Sequence, residues 1–122
     1  DPRRIAVAGE SAGGNLAMHI SLRARDEGVQ LPVYQLLVYP GINLLGAKVQ
    51  GLPPTTIIAA EIDPLRSEGE QLAELLKRAG VPVERRQWDG VTHEFFGMAA
   101  VVPEAKEAVQ FAGQRLRSAF GR

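Results

Sequence analysis

Residues 4–13 read RIAVAGESAG, a short apolar run followed by a glycine-rich turn that carries a serine. The apolar run predicts a buried strand at Ile5–Ala8, and apolar residues at helical spacing follow the turn. A Gly-x-Ser-x-Gly turn between a strand and a helix holds the serine hydroxyl exposed for attack on a carbonyl group. Glycine would be needed at positions 9 and 13, because the turn is tight and the strand and helix backbones pass close together. The pattern therefore predicts that Ser11 is a nucleophile.

The same turn predicts an oxyanion donor, because the backbone N–H of Ala12 would point into the space that the Ser11 hydroxyl faces. Phosphate-binding turns are the nearest rivals. A P-loop needs a lysine and a hydroxyl residue where this chain has Asn15 and Leu16, and a dinucleotide fingerprint needs glycine at position 11. Neither phosphate motif fits, which leaves a structural turn with an incidental serine as the open alternative.

Size and composition exclude several other functions. The chain has 122 residues, of which 45% are hydrophobic and 23% charged, so we expect one domain over residues 1–122. A formal net charge of zero gives no electrostatic reason to expect nucleic acid or an anionic membrane as a partner. The absence of cysteine excludes disulfides and thiolate chemistry and leaves the compartment open, with a cytoplasmic location as the expectation. No apolar run reaches the ~20 residues of a membrane span. The chain begins with Asp1-Pro2 rather than methionine, which suggests a piece of a longer protein.

Strands alternate with helices along the chain, which predicts an α/β fold with a four-stranded, mainly parallel sheet and flanking helices. A capping box at Ser67 and Glu70 marks the start of the second helix. The fourth strand is less apolar than the others, as suits a sheet edge. The predicted strands are Ile5–Ala8, Tyr34–Tyr39, Thr55–Ala60 and Val83–Trp88; the predicted helices run to about Glu27, from the capping box to Gly80, and from Pro103 onward.

Helical spacing also predicts which residues the first and last helices bury. The predicted buried residues are Leu16, Ala17, Ile20, Leu22 and Ala24 in the first helix and Ala105, Ala108, Val109, Ala112, Leu116 and Phe120 in the last.

A serine hydroxyl becomes a useful nucleophile when a base takes its proton, and the chain offers two histidines. His19 lies eight residues further along the helix that follows Ser11, ~12 Å away by helical rise, so we expect it at the surface. His93 follows the fourth strand and should lie at the carboxyl end of the sheet, where parallel sheets bind ligands. His93 is therefore the predicted base.

The base needs a carboxylate to hold its tautomer. Asp63, just past the third strand and followed by Pro64, is favoured, while Glu61, Asp89 and Glu94 remain alternatives. A zinc motif starting at His93 would need a second histidine at position 97, which is glycine. Neither a metal ion nor a cofactor is expected.

Three spaced segments resemble the hormone-sensitive-lipase-like branch of the α/β-hydrolases. The stretch from Gly9 to Ala17 resembles its nucleophile segment, the stretch from Asp63 to Gly69 its acid segment, and the stretch from Gly90 to Phe96 its histidine segment. Val38-Tyr39-Pro40 and Gly51-Leu52-Pro53-Pro54-Thr55 are similar to its strand ends. The resemblance implies the C-terminal half of an α/β-hydrolase fold. It also implies a carboxylesterase acting on small acyl esters without a metal or cofactor, with Ser11, Asp63 and His93 as its triad in the expected chain order.

The departures from this family carry their own expectations. The family's N-terminal half, with a His-Gly-Gly-Gly loop that supplies oxyanion donors, has no counterpart before Asp1. The cap-forming insertion is shortened to Gly41–Leu52, with one or two helical turns expected at residues 44–49. The first strand then becomes a sheet edge beside an open apolar face. We therefore expect self-association, or a companion chain that supplies the missing half. The competing hypothesis is a module that folds and assembles with little or no turnover.

Overall fold

The computed structural model describes residues 1–41 and 48–121, and it contains one four-stranded sheet. The strands lie in the order β1-β2-β3-β4, and each neighbouring pair is parallel. The predicted α/β class and parallel sheet are therefore confirmed. The strands are β1 (Ala6–Glu10), β2 (Tyr34–Val38), β3 (Thr55–Ile62) and β4 (Val83–Thr92); the helices are α1 (Ala12–Glu27), α2 (Arg66–Arg78) and α3 (Pro103–Ala119), and a short 3₁₀ turn spans Phe95–Met98.

β2 and β3 are covered on both faces, which explains their continuous apolar runs. Successive side chains of a strand point to opposite faces. Leu37 and Ile57 therefore pack with α1 and α2, whereas Leu36 and Ile58 pack with α3 and the aromatic residues of the other core. The first core contains Ala17, Met18, Leu22, Leu72, Ala73 and Leu76, and the second contains Val38, Tyr39, Trp88, Phe95, Ala108 and Phe111.

Parallel pairing puts the carboxyl ends of the strands at one edge of the sheet. Ser11 follows β1, Asp63 follows β3 and His93 follows β4, so the fold delivers all three to that rim. β4 continues to Thr92, beyond its predicted end at Trp88. Its pairing with β3 is irregular there, because Ala60 pairs with Trp88 whereas Ile62 pairs with Thr92. Three residues of β4 thus face one residue of β3, a bulge that sets the direction in which β4 leaves the sheet.

The predicted capping box of α2 is wrong. The helix begins at Arg66, one residue before the predicted cap. Leu65 occupies the N-cap position, and no side chain makes a capping hydrogen bond there. The Asp63 carboxylate instead accepts a hydrogen bond from the N–H of Leu65 at 2.8 Å, and the N–H of Arg66 bonds to the carbonyl of Asp63 at 3.1 Å. This turn begins the helix before Ser67 can act as its cap.

Some residues predicted as buried helix positions are exposed. Leu16 and Ile20 on α1 are 62% and 47% exposed, and Val109 on α3 is 42% exposed. α1 instead buries Met18 and Ser21, and α3 buries Phe111. Helical spacing identifies an apolar stripe, but which part of that stripe is covered depends on the elements packed against it.

β1 is an outermost strand, as expected from the sequence. In the described part of the chain, no helix is both long enough and apolar enough to span a membrane. The helical turns expected at residues 44–49 fall mostly on residues outside the described ranges.

Candidate active site

Ser11 stands on a strained turn between β1 and α1. Its backbone has φ 52° and ψ −116°, a conformation that non-glycine residues seldom adopt. Such a residue costs about 1–3 kcal/mol and persists only where surrounding contacts hold it. Its N–H donates to the carbonyl of Val38 at 2.9 Å, and its carbonyl accepts from Gly14 at 3.0 Å and Gly41 at 3.3 Å. The end of β2 thus clamps the turn that presents the serine hydroxyl.

The glycines around Ser11 do not all have the steric role expected of them. A Cβ on Gly9 would lie 2.0 Å from the Gly13 carbonyl oxygen, and a Cβ on Gly14 would lie 2.9 Å from the Pro40 Cβ. At Gly13 itself, the described residues leave a Cβ free space. The close strand–helix approach therefore requires glycine at positions 9 and 14, and the steric reason expected for Gly13 is wrong.

His93 lies between a hydroxyl and a carboxylate. Its Nε2 is 2.9 Å from the Ser11 Oγ, and its Nδ1 is 2.8 Å from an Asp63 Oδ2 that belongs to a buried side chain, 1% exposed. A carboxylate can only accept, so Nδ1 carries the proton and Nε2 is the acceptor for the serine hydroxyl. The other oxygen of Asp63 accepts from the Leu65 N–H at 2.8 Å, which fixes the carboxylate plane. The arrangement can move a proton from Ser11 to His93 while Asp63 stabilises the imidazolium.

The alternative carboxylates have other contacts. Glu61 accepts from the N–H of Gly90 at 2.9 Å and so closes the β4 bulge, while Asp89 accepts from the Gln87 side chain at 3.1 Å. Glu94 places an oxygen 3.5 Å from His93 Nε2, on an exposed side chain. The structure therefore brings Asp63, and neither Glu61 nor Asp89, to Nδ1 of the imidazole. His19 is exposed on α1, as expected.

Ala12 is the first residue of α1 and is exposed. The first N–H groups of a helix have no acceptor within the helix, and the positive end of the helix dipole lies there. A developing negative charge beside Ser11 could therefore be bound by this N–H. Within residues 1–41 and 48–121, no group of three His, Cys, Asp or Glu side chains is arranged to hold a metal ion.

The sequence analysis missed Tyr39 as a site residue. This buried tyrosine, 2% exposed, places its ring 4.5 Å from the His93 ring and donates its hydroxyl to Glu10 at 2.6 Å. Burial raises the pKa of Tyr39 well above its usual value, and the hydrogen bond to Glu10 and the negative charges of Glu10 and Glu94 raise it further. Its place at the end of β2, directly before Pro40, was the signal that could have identified it.

Comparisons with known proteins identify the family of this chain. A family model described as alpha/beta hydrolase fold matches residues 1–48 and 42–97. The carboxylesterase NlhH of Mycobacterium tuberculosis is 35% identical over 154 aligned residues, which cover 88% of this chain and 48% of that protein. The chain thus spans about half the length of the curated relatives it matches. The aligned length exceeds the 122 residues of this chain, so NlhH carries residues without a counterpart here. The two matched parts of the family model meet at residues 42–48, within the connection expected to be shortened.

Solved structures give the same assignment. EstE1, a thermophilic carboxylesterase from a metagenomic library, superposes with a TM-score of 0.92 at 31% identity, over 98% of this chain and 56% of that one. An esterase from the bacterial hormone-sensitive lipase family superposes with a TM-score of 0.93 at 26% identity, over 98% of this chain and 55% of that one. Sequence, fold and rim geometry together show that this chain belongs to the alpha/beta hydrolase fold family, in its hormone-sensitive-lipase-like esterase lineage.

Proposed function

We propose that this chain carries the reacting residues of a serine carboxylesterase, with Ser11 as nucleophile, His93 as base and Asp63 as its partner. The observation that carries the proposal is the continuous row of hydrogen bonds, 2.9 Å from Ser11 to His93 and 2.8 Å from His93 to Asp63. A nucleophile within hydrogen-bond reach of a base, which is itself oriented by a third group, is the arrangement that nucleophilic catalysis requires.

The reaction would proceed in two halves. As Ser11 Oγ bonds to the ester carbonyl carbon, His93 Nε2 takes its proton and the N–H of Ala12 binds the oxyanion. His93 then gives that proton to the departing alkoxide, which leaves an acyl group on Ser11 and an alcohol in solution. A water molecule that loses its proton to His93 attacks the acyl carbon, and the protonated His93 returns the proton to Ser11 as the carboxylic acid leaves.

Small acyl esters are the proposed substrate class, because the family resemblance points to them. Ala12 is the oxyanion donor that the described residues offer. Removing one donor from an oxyanion site costs about 100- to 1000-fold in rate, and an oxyanion forms in both halves of the reaction, so we expect both acylation and deacylation by this chain to be slow.

Covalent labelling tests this function without depending on turnover. The chain is incubated with a fluorophosphonate, and intact-mass and peptide mass spectrometry locate the product. We expect one phosphonyl group per chain on Ser11, no labelling of Ser11→Ala, and labelling slowed by roughly 1000-fold or more in Asp63→Asn, which disturbs the tautomer of His93. Ser67→Ala, a change at an exposed serine of α2, is the matched control and should label like the unchanged chain.

Hydrolysis of a short-chain nitrophenyl ester follows as a second assay. A rate for Ser11→Ala equal to that of the unchanged chain, together with an unlabelled Ser11, would contradict the proposal. That result would favour the reading of the chain as a module that folds and assembles without turnover.

We further propose that residues 1–122 form a single domain that associates with another chain, either a second copy or a companion that supplies the rest of an α/β-hydrolase fold. The free edge of β1 and the exposed apolar residues of α1 support this proposal. Unpaired strand edges and apolar patches are surfaces that proteins ordinarily cover.

A further inference from the structure

Tyr39 directly follows β2, at the point where the end of that strand contacts both Ser11 and His93. Its neighbour Val38 accepts the hydrogen bond from the Ser11 N–H, and its own ring lies against His93. None of the proposed reaction steps uses Tyr39. Its contacts nevertheless connect the turn that presents the nucleophile with the ring that takes the proton.

The two hydrogen bonds of His93 act at Nδ1 and Nε2, in the plane of its ring. Together with the Cβ–Cγ bond they set the position of the ring, but hydrogen bonds accept a broad range of angles and so restrain tilting of the imidazole plane only weakly. A side chain packed against the ring limits that tilting. The Tyr39 ring is placed to do so, with its centroid 4.5 Å from that of His93 and the two planes tilted by 53°, and the Phe95 ring packs against Tyr39 with centroids 6.0 Å apart.

Tyr39 is itself held in a costly conformation. Its backbone has φ 32°, a positive value that a bulky residue adopts only when its surroundings impose it. Two contacts impose it here: the Tyr39 N–H donates to the carbonyl of Ile58 at 2.7 Å, and the hydroxyl donates to Glu10 at 2.6 Å. Glu10 directly precedes Ser11, so the hydrogen bond from Tyr39 to Glu10 connects the ring that packs against His93 to the strand that carries the nucleophile.

We propose that Tyr39 is a positioning residue for His93 and that Glu10 sets the position of Tyr39. The inference rests on the proposed function only in taking His93 as the base for Ser11. Glu10, the first of the two variable residues of the Gly-x-Ser-x-Gly turn, thereby acts on the base through Tyr39 rather than on the substrate.

A double-mutant cycle tests the coupling. The variants are Tyr39→Phe, Glu10→Ala and the combination of both, and the readout is the rate at which a fluorophosphonate modifies Ser11. Each single change should slow the reaction by roughly tenfold, and the double variant should be no slower than the singles, because both changes break one contact. Tyr39→Leu, which removes the ring, should slow it by about 100-fold, as misplacement of a catalytic group does. Fully additive losses in the cycle, or no loss in any variant, would overturn the proposal.

Tyr34→Phe is the matched control. Tyr34 lies at the other end of β2 and also bonds through its hydroxyl, to Thr56. Removing the Tyr34 hydroxyl breaks a similar hydrogen bond far from the rim, so Ser11 should be labelled at the same rate as in the unchanged chain. A loss equal to that of Tyr39→Phe would show that β2 responds to any lost hydroxyl, and would overturn the assignment to Tyr39.

Proton NMR separates this inference from the proposed function. With two histidines in the chain, the Nδ1–H of His93 bonded to Asp63 should give a single far-downfield resonance. We expect it to broaden or vanish in Tyr39→Leu and to persist in Tyr34→Phe. An unchanged chain that shows the resonance but never labels would contradict the proposed esterase function and leave the positioning test standing. A resonance identical in Tyr39→Leu and the unchanged chain would refute the positioning role.

Discussion

Three side chains at the carboxyl rim stand on backbone with positive φ although none of them is glycine. Within the described residues these are Ser11 at 52°, Tyr39 at 32° and Glu94 at 76°. Each directly follows the end of a strand or the residue after it, where the chain must turn sharply. Residues in this region cost about 1–3 kcal/mol each and collect at sites whose geometry matters more than local stability. The strain is therefore localised to the residues that surround the His93 ring.

The buried hydroxyl of Tyr39 predicts a dependence of stability on alkaline pH. An unfolded tyrosine loses its proton near pH 10, whereas burial and Glu10 raise the pKa of Tyr39 in the fold. The stabilisation is thus complete below about pH 10 and is lost as the pH rises further, because the unfolded chain then binds fewer protons. In Tyr34→Phe, which leaves Tyr39 as the single tyrosine, we expect phenolate absorbance to appear only as the chain unfolds.

The comparison variant for this titration lacks both tyrosines. Above pH 10, the free energy of unfolding should fall more steeply in Tyr34→Phe than in the variant that also carries Tyr39→Phe, by up to about 1.4 kcal/mol per pH unit. Phenolate absorbance from Tyr39 in a chain that is still folded would contradict the expectation.

At the scale of elements, the contact between β1 and α1 depends on the missing side chain of Gly9. Gly9→Ala would place a Cβ 2.0 Å from the Gly13 carbonyl oxygen, which no side-chain rotation can relieve. We expect the free energy of unfolding to fall by about 2–3 kcal/mol or more, as overpacking by backbone contact does. Chemical denaturation measures the change.

Gly13→Ala is the control for that element. Its Cβ meets open space among the described residues, and it lies within α1, where alanine is favoured over glycine. The variant should be more stable by about 0.5–1 kcal/mol. Equal destabilisation by both changes would mean that the strand–helix approach does not limit the size of residue 9.

The strands and their ends show which features of the fold and of the site could be predicted from the sequence. Apolar runs and turn residues predict the parallel sheet and its rim, because strand ends in such a sheet must meet. The β4 bulge was not predictable, since it depends on Glu61 reaching Gly90 across the sheet, and the pair Asp89-Gly90 resembles an ordinary turn. For the same reason Glu61 remained a rival carboxylate until its partner was known. Tyr39 was missed because a tyrosine in an apolar strand looks like core until its hydroxyl partner is located.

At the scale of the whole molecule, the exposed face of α1 predicts association. Leu16 and Ile20 lie one helical turn apart and share a face, and they are 62% and 47% exposed. Sedimentation equilibrium should detect oligomers of the unchanged chain, and Leu16→Glu combined with Ile20→Glu should shift it toward monomer. Val101→Glu, at a residue 81% exposed away from α1, should leave the oligomers intact. A chain that is monomeric at high concentration would count against self-association and leave the companion chain as the remaining proposal.

Ser11 and His93 follow the two outermost strands of the sheet, 82 residues apart, yet lie 2.9 Å from one another across the rim. No local segment can create that proximity, and a slip of one residue in any strand pairing would turn side chains to the wrong face. A refolding chain would thus become chemically reactive only once every strand had found its register. The rate at which a phosphonate modifies Ser11 during refolding would therefore report when the sheet is complete, and with it the formation of the slowest long-range contacts.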